Sequence, residues 1–134
     1  RKARADVRTL LISTTGHQPY RVIFTSRSFL SKHPDIVAKF VKASMQGWKD
    51  YLQDPETVDR DLEKLNPAMS PEQMQFSVNT LKRDRFIEGD STADSHLGHF
   101  TAKRWNENYR QLLNLKVIAH PFDPQTAYTL RFAP

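Results

Sequence analysis

The chain has 134 residues, a formal net charge of +5 and no cysteine. The absence of cysteine excludes disulfides, thiolate chemistry and zinc–thiolate sites within these residues. Lysines and arginines are scattered among acidic residues and form no platform of basic and aromatic side chains, so nucleic acid is not a predicted partner. No apolar run approaches the roughly 20 residues that a membrane-spanning helix needs.

Two runs rich in β-branched and aromatic residues open the chain. Residues 7–13 (VRTLLIS) and 20–25 (YRVIFT) are typical of strands. Between them, Gly16 and Pro19 mark a loop. Because a pair of strands does not form a stable sheet by itself, we expect this chain to be part of a larger protein.

The longest helical pattern lies between two prolines. Pro34 suits the first position of a helix, because its missing N–H costs nothing there and its φ is already helical. Pro55 ends the pattern, since the residue before a proline is driven out of the α region. Apolar residues at three- and four-residue spacing over 34–53 predict one continuous amphipathic helix. We expect its buried side chains to include Phe40, Val41, Met45 and Trp48.

Shorter helices are predicted on either side of this one. Residues 26–32 predict a turn or short helix, and residues 56–65 carry apolar residues at helical spacing. A further helix begins with Ser70 as its cap, Pro71 at its first position and Gln73 at its third. Its predicted apolar face consists of Met74, Val78 and Leu81, with Phe86 as a further candidate.

The last part of the chain predicts a loop and a final helix. Residues 88–98 are polar and contain glycine, which indicates a loop. Thr101 can cap the helix that follows, and residues 117–118 predict a short extended piece. The predicted inner face of the final helix consists of Trp105, Tyr109, Leu112, Leu113 and Leu115.

His96 and His99 are the residues whose spacing could indicate a metal site. One helical turn would bring the two rings together, and Asp90 or Asp94 could add a carboxylate. However, Gly98 and the polar context favour a loop, so we predict neither a metal nor a cofactor. No glycine-flanked serine typical of hydrolases and no phosphate-binding glycine-rich loop is present, so no catalytic residue is predicted.

The stretch YRVIFTSRSFLSKHPDIVAKFVKASMQGWKDYLQDPE resembles the C-terminal half of ABC-transporter solute-binding proteins. The most similar group binds the thiamine-pyrimidine precursor or sulfonates, taurine and nitrate. The family's F-L-x-K-x-P turn corresponds to residues 29–34, and its long helix ending in D-P-E corresponds to residues 34–56. Later matches, in the same order as in the family, are Gly98, Arg104-Trp105 and Leu112-Leu113. The resemblance covers about residues 8–130.

This resemblance implies an α/β fold of the type II periplasmic-binding-protein kind. In such proteins a ligand lies in the cleft between two α/β lobes joined by crossing strands. This chain would supply a helix-rich C-terminal part with two or three strands. Residues 1–20 would form a crossing strand with the hinge and cleft loop, and residues 21–134 the C-terminal portion of the first lobe.

The predicted ligand-binding residues lie in the loop between the two β-rich runs: Thr15, Gly16, His17, Gln18 and Tyr20. A loop at a strand end beside a crossover is where open α/β sheets place ligands. Gly16 permits close backbone approach, and the side chains offer a titratable ring, an amide and an aromatic face. These groups suit a polar heteroaromatic compound or a small anion. A plain surface loop is the alternative interpretation.

The resemblance implies a receptor rather than an enzyme. Such a protein captures a small polar or anionic solute, for example a pyrimidine precursor, a sulfonate or nitrate, and delivers it to an ABC permease in the membrane. It would be a monomer, and periplasmic or otherwise exported. A thiamine-pyrimidine-synthase-like enzyme is an alternative, although that enzyme's cysteine-rich run is absent at residues 16–20. A soluble sensory or accessory domain of the same fold is another.

Overall fold

The computed structural model describes residues 8, 10, 22–89 and 97–133. Within them the chain forms five α-helices and a short 3₁₀ helix: α1 Arg27–Lys32, α2 Pro34–Gln53, α3 Pro55–Leu65, α4 Pro71–Arg83, α5 Ala102–Asn114 and the 3₁₀ helix Pro124–Ala127. No helix in this described part of the chain is both long and apolar enough to cross a membrane.

The chain divides into two compact units. One comprises Phe24–Thr101 with Thr129–Pro134 and is called here the α1–α4 unit. The other comprises Arg1–Ile23 with Ala102–Tyr128 and is called the α5 unit, since it contains α5 and the 3₁₀ helix.

Prolines and short polar caps set the helix starts of the α1–α4 unit. Helices α2, α3 and α4 each begin with a proline, as the sequence predicts for Pro34 and Pro71. The Asp54 carboxylate accepts the N–H of Glu56 at 3.3 Å, and the Ser70 hydroxyl accepts the N–H of Gln73 at 3.4 Å. These bonds satisfy N–H groups that have no partner inside the helix.

Helix α2 confirms the predicted span 34–53 and continues through Gly47 without a break. The expected burial is wrong for Phe40, whose surface is 60% exposed, whereas Val41, Met45 and Trp48 are half-buried. The physical reason is that few apolar side chains cover this face of α2. In the described chain, α2 packs chiefly against α1 and α3. Contacts with these two shorter helices leave part of the wide apolar face of α2 uncovered.

The best-buried part of the α1–α4 unit lies on helix α4. Met74 and Val78 are 4% and 1% exposed, and they are the described hydrophobic residues that reach full burial. They lie one turn apart, so they share the predicted face of the helix. Leu81, the third residue predicted for this face, is half-buried, whereas the further candidate Phe86 lies beyond the end of the helix and is 60% exposed. The sequence periodicity therefore identified the correct side of α4.

The predicted strands are not confirmed. Residues 22–25 form neither helix nor strand, and Phe24 is 90% exposed. A strand requires backbone hydrogen bonds from a neighbouring strand, and no strand is formed among the described residues. Most of residues 7–13, and residues 20–21, lie outside the described part of the chain.

The predicted extended piece at 117–118 is wrong, because these residues close the end of helix α5. The N–H groups of Val117 and Ile118 donate to the carbonyl of Leu112 at 2.9 and 3.3 Å. Lys116 adopts a φ of 57°, the left-handed conformation that commonly ends a helix. Leu115, predicted on the inner face, lies beyond the last helical residue and is exposed.

A side-chain hydrogen bond joins α2 to α3 across the Asp54–Pro55 break. The Tyr51 hydroxyl donates to the Asp59 carboxylate at 3.0 Å. Burial raises the pKa of Tyr51 to about 12, and the hydrogen bond and the negative charge of Asp59 act in the same direction. Protonated Tyr51 therefore stabilises the corner between the two helices.

This raised pKa predicts a loss of stability in alkali. In the unfolded chain a tyrosine ionises at about pH 10, whereas folded Tyr51 has a pKa of about 12. The contribution of Tyr51 is fully present below pH 10 and is lost as the pH rises from 10 to 12, because the unfolded state releases its proton first. Thermal unfolding at pH 9 and pH 11 should show a smaller loss for Tyr51→Phe than for the natural chain. Equal losses would contradict the role of this hydroxyl.

A matched pair of glycine substitutions tests the packing of the loop that precedes α5 against α2. Gly98 has a φ of +82°, and a Cβ there would lie 2.6 Å from Met45 Sδ and 2.8 Å from its Cγ. We expect Gly98→Ala to lower the free energy of unfolding by about 1–3 kcal/mol, through backbone strain and overpacking. Gly47 has nothing within 4 Å of its Cβ position and lies within α2, so Gly47→Ala should raise stability by about 0.5–1 kcal/mol. Chemical denaturation measures both, and a Gly98→Ala variant as stable as the parent would contradict the packing.

Candidate functional site

The residues predicted to bind ligand lie outside the described part of the chain. These are Thr15, Gly16, His17, Gln18 and Tyr20. The placement of a binding loop at 14–20 therefore stays a prediction. What the structure does describe is the segment that follows the loop, from Val22 into helices α1 and α2.

Ser26 turns this segment from extended backbone into helix. It has φ −70° and ψ 150°, and its hydroxyl accepts the N–H of Phe29 at 3.1 Å. Its carbonyl accepts the N–H of Leu30 at 3.0 Å, the first hydrogen bond of α1. This cap therefore fixes the direction of the chain at the start of α1, a few residues after the predicted loop.

The F-L-x-K-x-P motif at residues 29–34 builds the corner between α1 and α2. The N–H of His33 donates to the carbonyl of Phe29 at 2.8 Å, and the centres of their two rings lie 5.0 Å apart. Pro34 then begins α2 directly after His33. His33 and Phe29 pack against each other at this corner, so the motif that carries the resemblance has a structural role here.

Helix α2 presents apolar side chains that nothing in the described chain covers. Ile36 and Phe40 lie one turn apart and are 47% and 60% exposed. Phe29 on α1 is also substantially exposed. Large apolar side chains exposed in neighbouring turns are typical of surfaces that contact another part of a protein or a partner.

The histidines do not assemble a metal site in the part of the chain that the structure describes. No group of three or more histidine, aspartate and glutamate side chains is placed there to hold a metal ion. His99 is half-buried in the loop before α5, while His96, Asp90 and Asp94 lie outside the described residues. Of the two histidines in the HxxH pair, the structure therefore describes only His99.

The charged pairs of the α1–α4 unit lie at the surface. Arg83 donates two hydrogen bonds of 2.7 Å to Asp84, which lowers the pKa of the Asp84 carboxyl. Lys64 and Asp61 form a pair at 3.0 Å on α3, and both side chains are exposed. Exposed ion pairs contribute little to stability and do not resemble the buried, perturbed groups of catalytic sites.

A depression of about 550 Å³ lies along helix α4. Its described lining comes from that helix alone: Pro71, Glu72, Gln75, Phe76 and Asn79. A ligand pocket encloses most of its ligand between opposed walls, which one helix face does not supply. Sequence reasoning assigned no function to these residues, and the geometry assigns none. A smaller depression in the α5 unit, lined by residues of α5 and of the start of the 3₁₀ helix, is also largely open to solvent.

Two comparisons relate the chain to known proteins. Residues 2–58 match the family described as NMT1/THI5 like, a span that contains the predicted loop, α1 and α2. The chain is also 27% identical over 133 residues to the riboflavin-binding protein RibY of Chloroflexus aurantiacus, covering 96% of this chain and 37% of that protein. It thus spans little more than a third of the length of this relative. No solved structure matches the chain.

Both matches fit a solute-binding protein of the NMT1/THI5 type, which confirms the resemblance found in the sequence. The family implies a periplasmic-binding-protein-like fold. The relative's name is that of a binding protein rather than of an enzyme.

Removing the cap of α1 tests whether Ser26 fixes the segment that leaves the predicted loop. We expect Ser26→Ala to lower the free energy of unfolding by about 1 kcal/mol, because the N–H of Phe29 loses its acceptor. Ser31→Ala is the matched control, since Ser31 is an exposed residue inside the same helix. Urea denaturation followed by circular dichroism measures both variants. Equal stability of the two would contradict the capping role.

Proposed function

We propose that the protein to which this chain belongs is the solute-binding component of an ABC-type importer. It captures a small polar solute outside the cytoplasm and delivers it, chemically unchanged, to a membrane permease. The observation that carries this proposal is the family match over residues 2–58, because that span includes the loop predicted from sequence to bind ligand. The match to a riboflavin-binding protein over 96% of the chain supports it independently.

The proposed solute is a planar heteroaromatic compound with a polar edge, such as a flavin or a pyrimidine precursor. The relative's name specifies riboflavin, whose ring system has a flat apolar face and a hydrogen-bonding edge. In the predicted loop, Tyr20 offers a face for stacking, while His17 and Gln18 offer hydrogen bonds. Gly16 would allow the backbone to approach the ring edge closely. Small anions such as sulfonates or nitrate use the hydrogen-bond donors but not the aromatic face.

The proposal requires that the protein bind the solute without changing it chemically. A receptor needs shape, hydrogen bonds and a hinge between its lobes, all of which a cysteine-free loop can provide. The synthase-like enzyme that resembles this family keeps a cysteine-rich run where residues 16–20 stand, and this chain has no cysteine. Delivery to a permease would also require export of the protein, and such receptors work as monomers.

Titration calorimetry on the full-length protein, stripped of bound ligand, tests the proposal. Riboflavin, a pyrimidine precursor, taurine and nitrate serve as probes. We expect one of the two ring compounds to bind most tightly. His17→Ala and Tyr20→Ala should each weaken that binding by about tenfold to a hundredfold, the loss of about 1–3 kcal/mol typical of a truncated ligand contact. His120→Ala is the matched control, because His120 is exposed on the α5 unit.

Three results would contradict parts of the proposal. Unchanged affinity in both loop variants would move the site away from residues 14–20. Tightest binding of taurine or nitrate would replace the heteroaromatic solute by an anion. Conversion of the bound compound, followed by mass spectrometry, would replace the receptor by an enzyme.

A further inference from the structure

The loop at residues 97–101 lies against helix α2 through a close contact between Gly98 and the side chain of Met45. A Cβ at Gly98 would lie 2.6 Å from Met45 Sδ, 2.8 Å from its Cγ and 3.4 Å from its Cε. Gly98 also has a φ of +82°, a backbone conformation that glycine adopts without strain. Both residues belong to the α1–α4 unit. The glycine therefore lets the loop backbone approach the thioether directly, an approach that a side chain at position 98 would prevent.

The surroundings of Met45 differ from those of the two other methionines of the chain. Met74 is 4% exposed, in the best-buried part of α4. Met69 is half-buried in the turn between α3 and α4, where its N–H donates to the carbonyl of Asn66 at 3.0 Å. Met45 is half-buried as well, so a small oxidant can reach its side chain. Unlike the sulfur of Met74, the Met45 sulfur thus combines partial exposure of its residue with a contact to a second segment of the chain.

Oxidation by a peroxide changes the chemistry of this contact. The sulfur lone pair forms an S–O bond with one peroxide oxygen, the O–O bond breaks, and hydrogen peroxide leaves as water. The sulfur is oxidised and the peroxide is reduced. The resulting sulfoxide is polar and chiral, whereas the thioether is apolar, and this change disrupts packing around methionine. The close approach of Gly98 leaves little room for the added oxygen on that side of the sulfur.

We propose that Met45 is a site of reversible oxidation by peroxides, and that its sulfoxide releases the loop at residues 97–101 from helix α2. The reduced thioether holds the loop through dispersion contacts with Gly98, and the sulfoxide replaces that apolar surface by a hydrated one. Methionine sulfoxide reductases reverse this kind of oxidation, so the release is reversible. The proposal concerns the α1–α4 unit and does not rest on the proposed function.

NMR of the full-length protein, labelled with ¹³C at its methionine methyl groups and with ¹⁵N at glycine, tests the release of the loop. The reduced protein should show a nuclear Overhauser effect between the Met45 methyl group and the protons of Gly98. After hydrogen peroxide treatment, peptide mass spectrometry locates the oxidised methionines. We expect Met45 to be oxidised before Met74, and the Met45–Gly98 signal then to be lost. Treatment with methionine sulfoxide reductases should restore it.

Two leucine variants show which methionine is responsible. Met45→Leu keeps an apolar side chain of similar volume without the oxidisable sulfur, so its Gly98 amide signal should not move when peroxide is added. Met69→Leu is the matched control, because Met69 is also half-buried, and its Gly98 amide should move as in the parent protein.

Three results would overturn the proposal. One is a Met45–Gly98 signal that persists when Met45 is fully oxidised, and another is oxidation of Met74 before Met45. The third is an equal response of the Gly98 amide in both leucine variants. Should Met45→Leu fail to fold, the parent protein decides, because recovery of the lost signal on enzymatic reduction requires an oxidised methionine as its cause.

Discussion

The fixed φ of proline is the constraint on which the arrangement of the α1–α4 unit depends. Pro34, Pro55 and Pro71 each stand at the first position of a helix. A proline accepts this position and disfavours helical backbone in the residue before it, so Pro34 and Pro55 each also follow directly on the end of the preceding helix. The break at Asp54–Pro55 is the clearest case, because the helices it separates are joined again by the Tyr51–Asp59 hydrogen bond.

Few of the described side chains in this part of the molecule are fully buried. Met74 and Val78 are its described hydrophobic residues with full burial, while Phe40, which the helical pattern places on an apolar face, is exposed. An apolar face of this width gains its free energy only when a second layer covers it. The relative that matches 96% of the chain is a much longer protein, of which the chain covers 37%.

Function is inferred from the predicted loop, from the segment that follows it and from the comparisons. Ser26 and the His33 corner show how the resembling motif shapes the backbone beyond residue 21. The matches fit a solute-binding protein of the NMT1/THI5 type. In the α5 unit, aromatic pairs hold helix α5 against the chain that follows it.

The sequence by itself determined the helices, because their signals are local. Pro34 and Ser70-Pro71 mark helix starts that the structure confirms, and the periodicity of α4 identified Met74 and Val78 as its buried side. The sequence also carried the resemblance to solute-binding proteins, through motifs that lie on α1 and α2. The loop at 14–20 was likewise selected from sequence, and its role stays a prediction.

Only the tertiary structure decided how far each apolar face is covered and which distant groups meet. Helical periodicity predicts on which face of α2 Phe40 lies, but not whether another part of the protein covers that face. Burial depends on neighbours that are distant in sequence. The strand expected over 20–25 is not confirmed at residues 22–25 for the same reason, because a strand exists only when another backbone supplies its hydrogen bonds. Likewise, Tyr109 had the spacing of a core residue, and only the fold brought its hydroxyl to the N–H of Phe122. Contacts between segments distant in sequence follow from the folded chain, which no local pattern encodes.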